Sequence, residues 1–181
     1  LKPAVHPVAL NAIVLAKFDD GLYRGKILSA SNTRYRVLFI DFGNIDYVEI
    51  KDIKMLPQKL VTFKPEAIHC GLAYVQASDM NHDLAEQACE AFKERAWEKK
   101  VTAEVKYVSN HKSYVLINPA TKPGDKDSVN YILLRKGLVR INPDVKLSEA
   151  TQKYWREAED EGAEANPDIT TAFREKEYAI D

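Results

Sequence analysis

The sequence predicts an α+β protein, mainly β in its first third, and two observations carry that prediction. Four short runs rich in Val, Ile, Leu, Tyr and Phe recur at about ten-residue spacing before residue 51, the pattern of a small, strongly bent antiparallel barrel. After Pro65 the hydrophobic period lengthens from two to about 3.6, so that helices alternate with a hairpin. With 181 residues, 45% hydrophobic and 29% charged, the chain buries a core without a disulfide or metal staple. No apolar run approaches the ~20 residues of a membrane helix. The start, LKPAVHPVALN, carries no apolar signal-peptide segment. A membrane protein, a secreted disulfide scaffold, a collagen and a disordered chain are excluded.

Strands are expected over 12–18, 22–30, 34–40 and 46–50. The separators Asp19-Asp20-Gly21, Ser31-Asn32-Thr33 and Phe42-Gly43-Asn44 are turn residues that bond their own backbone or tolerate positive φ. Residues 51–57 read as a helical turn stopped by Pro57. A further strand over 67–75 precedes a helix over about 81–99. There Leu84, Ala88, Phe92 and Ala96 repeat at i, i+4, and Ser78, Asp79 and Asn81 offer caps. Residues 101–108 and 114–118 form a hairpin. A short helix over 129–136 ends at Gly137. The last helix, over about 148–165, turns Leu147, Tyr154 and Ala158 inward before Pro167 stops it. The second part has one hairpin and one lone strand, too few to close a sheet by themselves. Cys70 and Cys89, with no CxxC and no paired His, read as two buried thiols.

Net charge is −1 but unevenly spread. Residues 1–76 carry ten basic and seven acidic side chains, residues 77–146 twelve and ten, and residues 147–181 four and ten. A mildly basic body with an acidic tail is a weak nucleic-acid footprint. Lys99, Lys100, Lys106 and Lys112, together with Tyr107 and Tyr114, form a candidate RNA patch. The competing reading is a solvated hairpin face. His6, His69, His82 and His111 are scattered, with no ligand spacing or nucleophile beside them. No catalytic constellation, metal site or cofactor motif emerges.

The most informative stretch runs from Ala16 to Asn44. Phe18, Tyr23, Phe39 and Phe42 lie at strand ends and turns, where a barrel opens and binding residues concentrate. Asn44 brings an amide to the same rim. Aromatic walls with one amide suit a bulky, weakly hydrated cation. A methylated arginine is such a cation, because it keeps its charge but loses donors for bidentate pairing. On composition and spacing alone, these four rings are either that cage or ordinary barrel core.

FIDFGN at 39–44, preceded by AKFDDG at 16–21 and Tyr23-Arg24, resembles the Tudor domain signature. The chain beyond it resembles the staphylococcal-nuclease-like half of an extended Tudor domain: LPQKL at 56–60, AIHCGLAYV at 67–75, the long helix, and VNYILLRKGLV at 129–139. The likeness is strongest to the Tudor staphylococcal nuclease family. It implies an SH3-like Tudor β-barrel over 12–65, a nuclease-like OB lobe over 66–166 and an acidic tail over 167–181. Residues 1–11 would then be a remnant of the nuclease-like lobe, whose first strands precede the barrel in that family. The resemblance implies a methylarginine cage of Phe18, Tyr23, Phe39 and Phe42 with Asn44 as polar reader. Asp41 would serve the turn, accepting backbone N–H groups near Gly43. The implied ligands are symmetrically dimethylated arginines in Gly/Arg-rich tails, such as those of Sm-type or Piwi-type proteins. The setting would be cytoplasmic, in ribonucleoprotein granules or the nucleus. Nuclease activity is not expected, since Asn110-His111-Lys112-Ser113-Tyr114 lacks the arginine that true nucleases carry there.

Overall fold

The computed structural model describes residues 1–78, 81–121 and 124–170, so the tail beyond Thr170 lies outside the described residues. The chain divides into two compact units, Leu1–His69 and Cys70–Asp181.

In the first unit β1 (Ile13–Phe18), β2 (Gly21–Ala30), β3 (Arg34–Phe39), β4 (Ile45–Glu49) and β5 (Ile53–Lys54) form one antiparallel sheet, ordered β4-β3-β2-β1-β5. Period two sorts β3: Tyr35, Val37 and Phe39 enter the core while Arg34 and Arg36 face water. A register shift between Ile27 and Ser29 marks an irregularity of the bulge kind, which bends and twists a strand. The helical turn expected over 51–57 is instead a 3₁₀ turn at Ile50–Asp52 leading into β5, which pairs with β1 and buries Ile53. One turn of helix, α1 (Gln58–Val61), follows.

Residues 1–11, expected as a remnant of the nuclease-like lobe, lie within this first unit. Pro3 bridges Lys54, the Met55 N–H donates to the Lys2 carbonyl at 3.0 Å, and the Val8 N–H donates to the Tyr35 hydroxyl at 2.9 Å. Backbone groups of this segment thus find partners on the barrel.

The second unit contains β6 (Cys70–Leu72), β7 (Val75–Gln76), α2 (His82–Ala96), β8 (Val101–Ser109), β9 (Lys112–Pro119), α3 (Val129–Arg135), β10 (Arg140–Ile141) and α4 (Glu149–Ala165). β6 runs parallel to β9, which pairs antiparallel with β8, and β7 pairs with β10. The single strand expected over 67–75 is therefore two. Tyr74, at φ 68°, breaks it in the left-handed region that few non-glycine residues enter. Helix α2 starts where Asn81 accepts the Leu84 N–H at 2.9 Å, a side-chain N-cap.

Leu84, Ala88 and Ala91 of α2, Val115 and Leu116 of β9, Leu133 and Leu134 of α3, and Trp155 and Ala158 of α4 share the core. Trp155, not Tyr154, points deepest on α4; it is 0% exposed, with Tyr74 and Tyr131 edge-on to its ring. Cys89 is exposed and Cys70 half-buried, against the expectation of two buried thiols. Cys89 follows buried Ala88, and one residue is about 100° around a helix. Helices α3 and α4 cross closely at Gly162, where a Cβ would stand 2.1 Å from the Leu134 carbonyl oxygen. No helix among the described residues is long and apolar enough to cross a membrane.

One polar side chain is of particular structural weight. Asn130 of α3 is 0% exposed. Its amide donates to the Ala73 and Val115 carbonyls at 3.0 and 2.9 Å and accepts the Ile117 N–H at 3.2 Å. It thus pins α3 to the backbone of β9 and of the segment between β6 and β7. Asn130→Leu removes those three buried bonds, although the Val115 carbonyl keeps the Ala73 N–H, so urea unfolding should show a loss of about 2 kcal/mol or more.

Candidate functional site

The register Gly25↔Phe39 brings the start of β2 to the end of β3, so the β1–β2 and β3–β4 turns share one end of the first unit. Phe18 closes β1, half-buried, with its ring 5.2 Å from Phe39 and tilted 54°. Tyr23 meets Phe42 edge-on, 5.2 Å between centroids and 86° between planes, a favoured aromatic geometry. Phe42 is 65% exposed. The Phe42 and Gly43 N–H groups both donate to the Phe39 carbonyl, at 3.1 and 2.7 Å, and the Phe39 N–H donates to the Asn44 carbonyl at 2.9 Å. Gly43 takes φ 88° inside that turn, where a side chain would be strained. The Asn44 side-chain amide, two residues beyond Phe42, makes no hydrogen bond among the described residues. The Tyr23 ring lies over Gly21, where an added Cβ would be 2.5 Å from Cε2.

The rings therefore form two pairs at one end, and one of the four differs from expectation. Phe39 is 1% exposed and sits in the core with Tyr35 and Val37, because all three share the inward face of β3. It supports Phe18 from beneath and offers no open face. A cleft of about 280 Å³ adjoins Phe18, lined by Asp19, Asp46, Glu49 and Asp52 against Lys17 and Lys51.

Arg24, to which the sequence alone assigns no role, anchors this end. Its Nε and Nη2 donate to the two Asp41 oxygens at 2.8 and 2.5 Å, a bidentate fork. Nη1 donates to the Leu60 and Phe63 carbonyls at 3.2 and 2.6 Å, and Nη2 to the Lys64 carbonyl at 3.0 Å. Asp41 also accepts the Glu66 N–H at 3.3 Å. Asp41 is structural as expected, but its partners are Arg24 and Glu66 and not the amides near Gly43, which Phe39 already satisfies. The Arg24 guanidinium holds the Asp41 carboxyl below its ordinary value. Lys51 does the same to Glu49.

The four lysines of the candidate RNA patch are not brought together. Lys100 precedes β8 and Lys112 follows its far end, and the nine residues of β8 span roughly 27 Å at about 3.4 Å each. Lys106 is neutralised by Glu104 at 2.8 Å and Asp125 at 3.5 Å. The Lys99 ammonium caps the Glu94 carbonyl, and Lys112 lies over the Tyr114 ring. Tyr107 and Tyr114 stack on each other, 4.7 Å apart. Among the described residues, no group of three or more His, Cys, Asp or Glu is placed to hold a metal ion.

A bent five-stranded sheet with aromatic rings at one end, followed by a mixed sheet-and-helix unit, is the fold of an extended Tudor domain. The Tudor domain family matches residues 2–74, and this part of the chain belongs to it. The extended Tudor domain of Drosophila melanogaster Tudor-SN (p100) superposes with a TM-score of 0.76 at 22% identity, over 90% of this chain and 77% of that one. The human TDRD1 extended Tudor domain, solved with a symmetrically dimethylated peptide, gives 0.67 at 25% identity, over 78% and 71%. In sequence the chain is 31% identical over 144 residues to Staphylococcal nuclease domain-containing protein 1 of Schizosaccharomyces pombe, covering 78% of this chain and 16% of that relative. The chain thus spans about a sixth of that relative's length. The Tudor domain is a binding module and not a catalytic one.

Two measurements check this geometry. Phe39→Ala should lose about 3–5 kcal/mol of stability as a core truncation, whereas Phe42→Ala should leave the melting temperature nearly unchanged. The second concerns pH. A carboxylate whose folded pKa is lowered contributes stability that is present above its unfolded pKa and is lost as pH falls through the folded value. The wild-type melting temperature should therefore drop below about pH 4. Asp41→Asn should be less stable near neutrality, and the gap should close as the pH falls through that range.

Proposed function

We propose that the first unit reads symmetrically dimethylated arginine in Gly/Arg-rich protein tails. Phe18, Tyr23 and Phe42 supply the ring surfaces, Phe39 backs Phe18, and Asn44 is the polar reader. The observation that carries this reading is the Tyr23–Phe42 pair, open to solvent at Phe42, with an unengaged Asn44 amide two residues on and the adjoining carboxylate of Asp41 already committed to Arg24. At the Tyr23–Phe42 pair the neighbouring Asp41 carboxylate is engaged, so the ring faces and the amide favour a cation that has lost donors and hydration. Ring faces attract such a cation by about 0.5–1 kcal/mol each when exposed, and by about 2 or more when desolvated. The carboxylates lining the cleft next to Phe18 favour the approach of a basic tail. The symmetrically dimethylated peptide held by the human TDRD1 domain supports the same ligand class. On this reading the chain recruits ribonucleoprotein partners with Sm-type or Piwi-type tails, in the cytoplasm.

Calorimetric titration with unmodified, monomethyl and symmetrically dimethylated arginine peptides tests it. The dimethylated peptide should bind at least about tenfold more tightly than the unmodified one, equivalent to about 1.4 kcal/mol. Dimethyl-lysine should bind much more weakly, because its ammonium cannot stack flat on a ring. Affinity that ignores methylation overturns the reading.

A further inference from the structure

From this reading of the site we infer that Arg24 and Asp41 are positioning residues for methylarginine recognition: their fork fixes the turn that presents Phe42 and Asn44, without touching the ligand. Adjacent residues on β2 grip adjacent residues of the turn. Tyr23 holds Phe42 through an edge-on ring contact, and Arg24 holds Asp41 through two charge-assisted hydrogen bonds. The grip extends further along the chain. Arg24 donates to the carbonyls of residues 60, 63 and 64, Asp41 accepts the Glu66 N–H, and the Ala67 N–H donates to the Ile40 carbonyl at 3.2 Å. Ala67 then stands in van der Waals range of a side chain at Gly43, packing against the glycine at the turn's left-handed position. The turn is thus held from β2 on one side and from residues 60–67 on another. A binding turn fixed before the ligand arrives avoids the ordering cost on binding.

Only the guanidinium meets this geometry. Lysine keeps the charge but offers three donors at one point, and it cannot form the fork and reach three carbonyls together. Arg24→Lys should therefore weaken the dimethylarginine peptide about tenfold while the barrel's circular dichroism is retained. If the pair acts through the turn, the two losses are not additive. In a Phe42→Ala background the same Arg24→Lys change should cost about twofold or less. Full additivity overturns the inference. Should Arg24→Lys fail to fold, Asp41→Asn carries the same cycle.

A second readout needs no ligand. Amide hydrogen exchange at Phe42, Gly43 and Glu66 should quicken at least about tenfold in Asp41→Asn, while amides of β1 and β2 change little. Unchanged protection at Phe42 and Gly43 overturns the inference. A loosened turn with undiminished affinity overturns it as well. A wild-type protein indifferent to methylation overturns the reading of the site itself, and the exchange result then still decides whether the fork orders the turn.

Discussion

One bidentate ion pair organises the functional end of the first unit. A guanidinium and a carboxylate removed from most of their water are costly unless each finds its full set of partners. Arg24 commits its donors to Asp41 and three carbonyls. The result is that the β3–β4 turn is no ordinary surface loop. It is tied to β2 behind it and to residues 60–66 beside it, so it behaves as part of the barrel while presenting its ring and amide to solvent. A loop that carries binding residues on a rigid support is the common arrangement for recognition.

The same pair sets the electrostatic character of the site. Asp41 follows Ile40 directly and precedes Phe42, so the sequence brings a carboxylate next to the exposed ring. Were that carboxylate free, it would pair with any arginine, methylated or not. Arg24 already occupies it, which in the proposed reading leaves ring faces and the Asn44 amide to do the selecting. Negative charge is instead offered on the Phe18 side, by Asp19, Asp46 and Glu49 around the adjoining cleft. In that reading, attraction of a basic tail and selection of a methylated side chain fall to different residues.

Much of this was legible in the sequence. Strands β1 to β4 declared themselves by apolar runs between turn residues, and Phe18, Tyr23, Phe42 and Asn44 fall at one end as the register requires. The burial of Phe39 was equally present in the alternation Tyr35, Val37, Phe39, which the likeness to a known cage outweighed. Other features had no local signal. Two-residue β5 is too short to show a period, and the break at Tyr74 depends on a left-handed backbone that an aromatic rarely adopts. The Arg24–Asp41 contact joins residues 17 apart across two strands. Trp155 is hard to tell from Tyr154, one position away, which fits the same inward stripe almost as well. The four lysines are spread out because Lys100 and Lys112 flank opposite ends of the long strand β8.

Gly21 suits the Asp19-Asp20-Gly21 corner by residue type alone. Its more telling property is the space above it, which the Tyr23 ring fills. Positions 21 and 23 are therefore sterically coupled. While residue 23 bears a ring that reaches Phe42, a side chain at residue 21 would have to push that ring aside. A lineage that lost the ring would be released at once to accept serine, asparagine or alanine at the corner. The glycine thus leaves room, two residues away, for a ring of the aromatic rim.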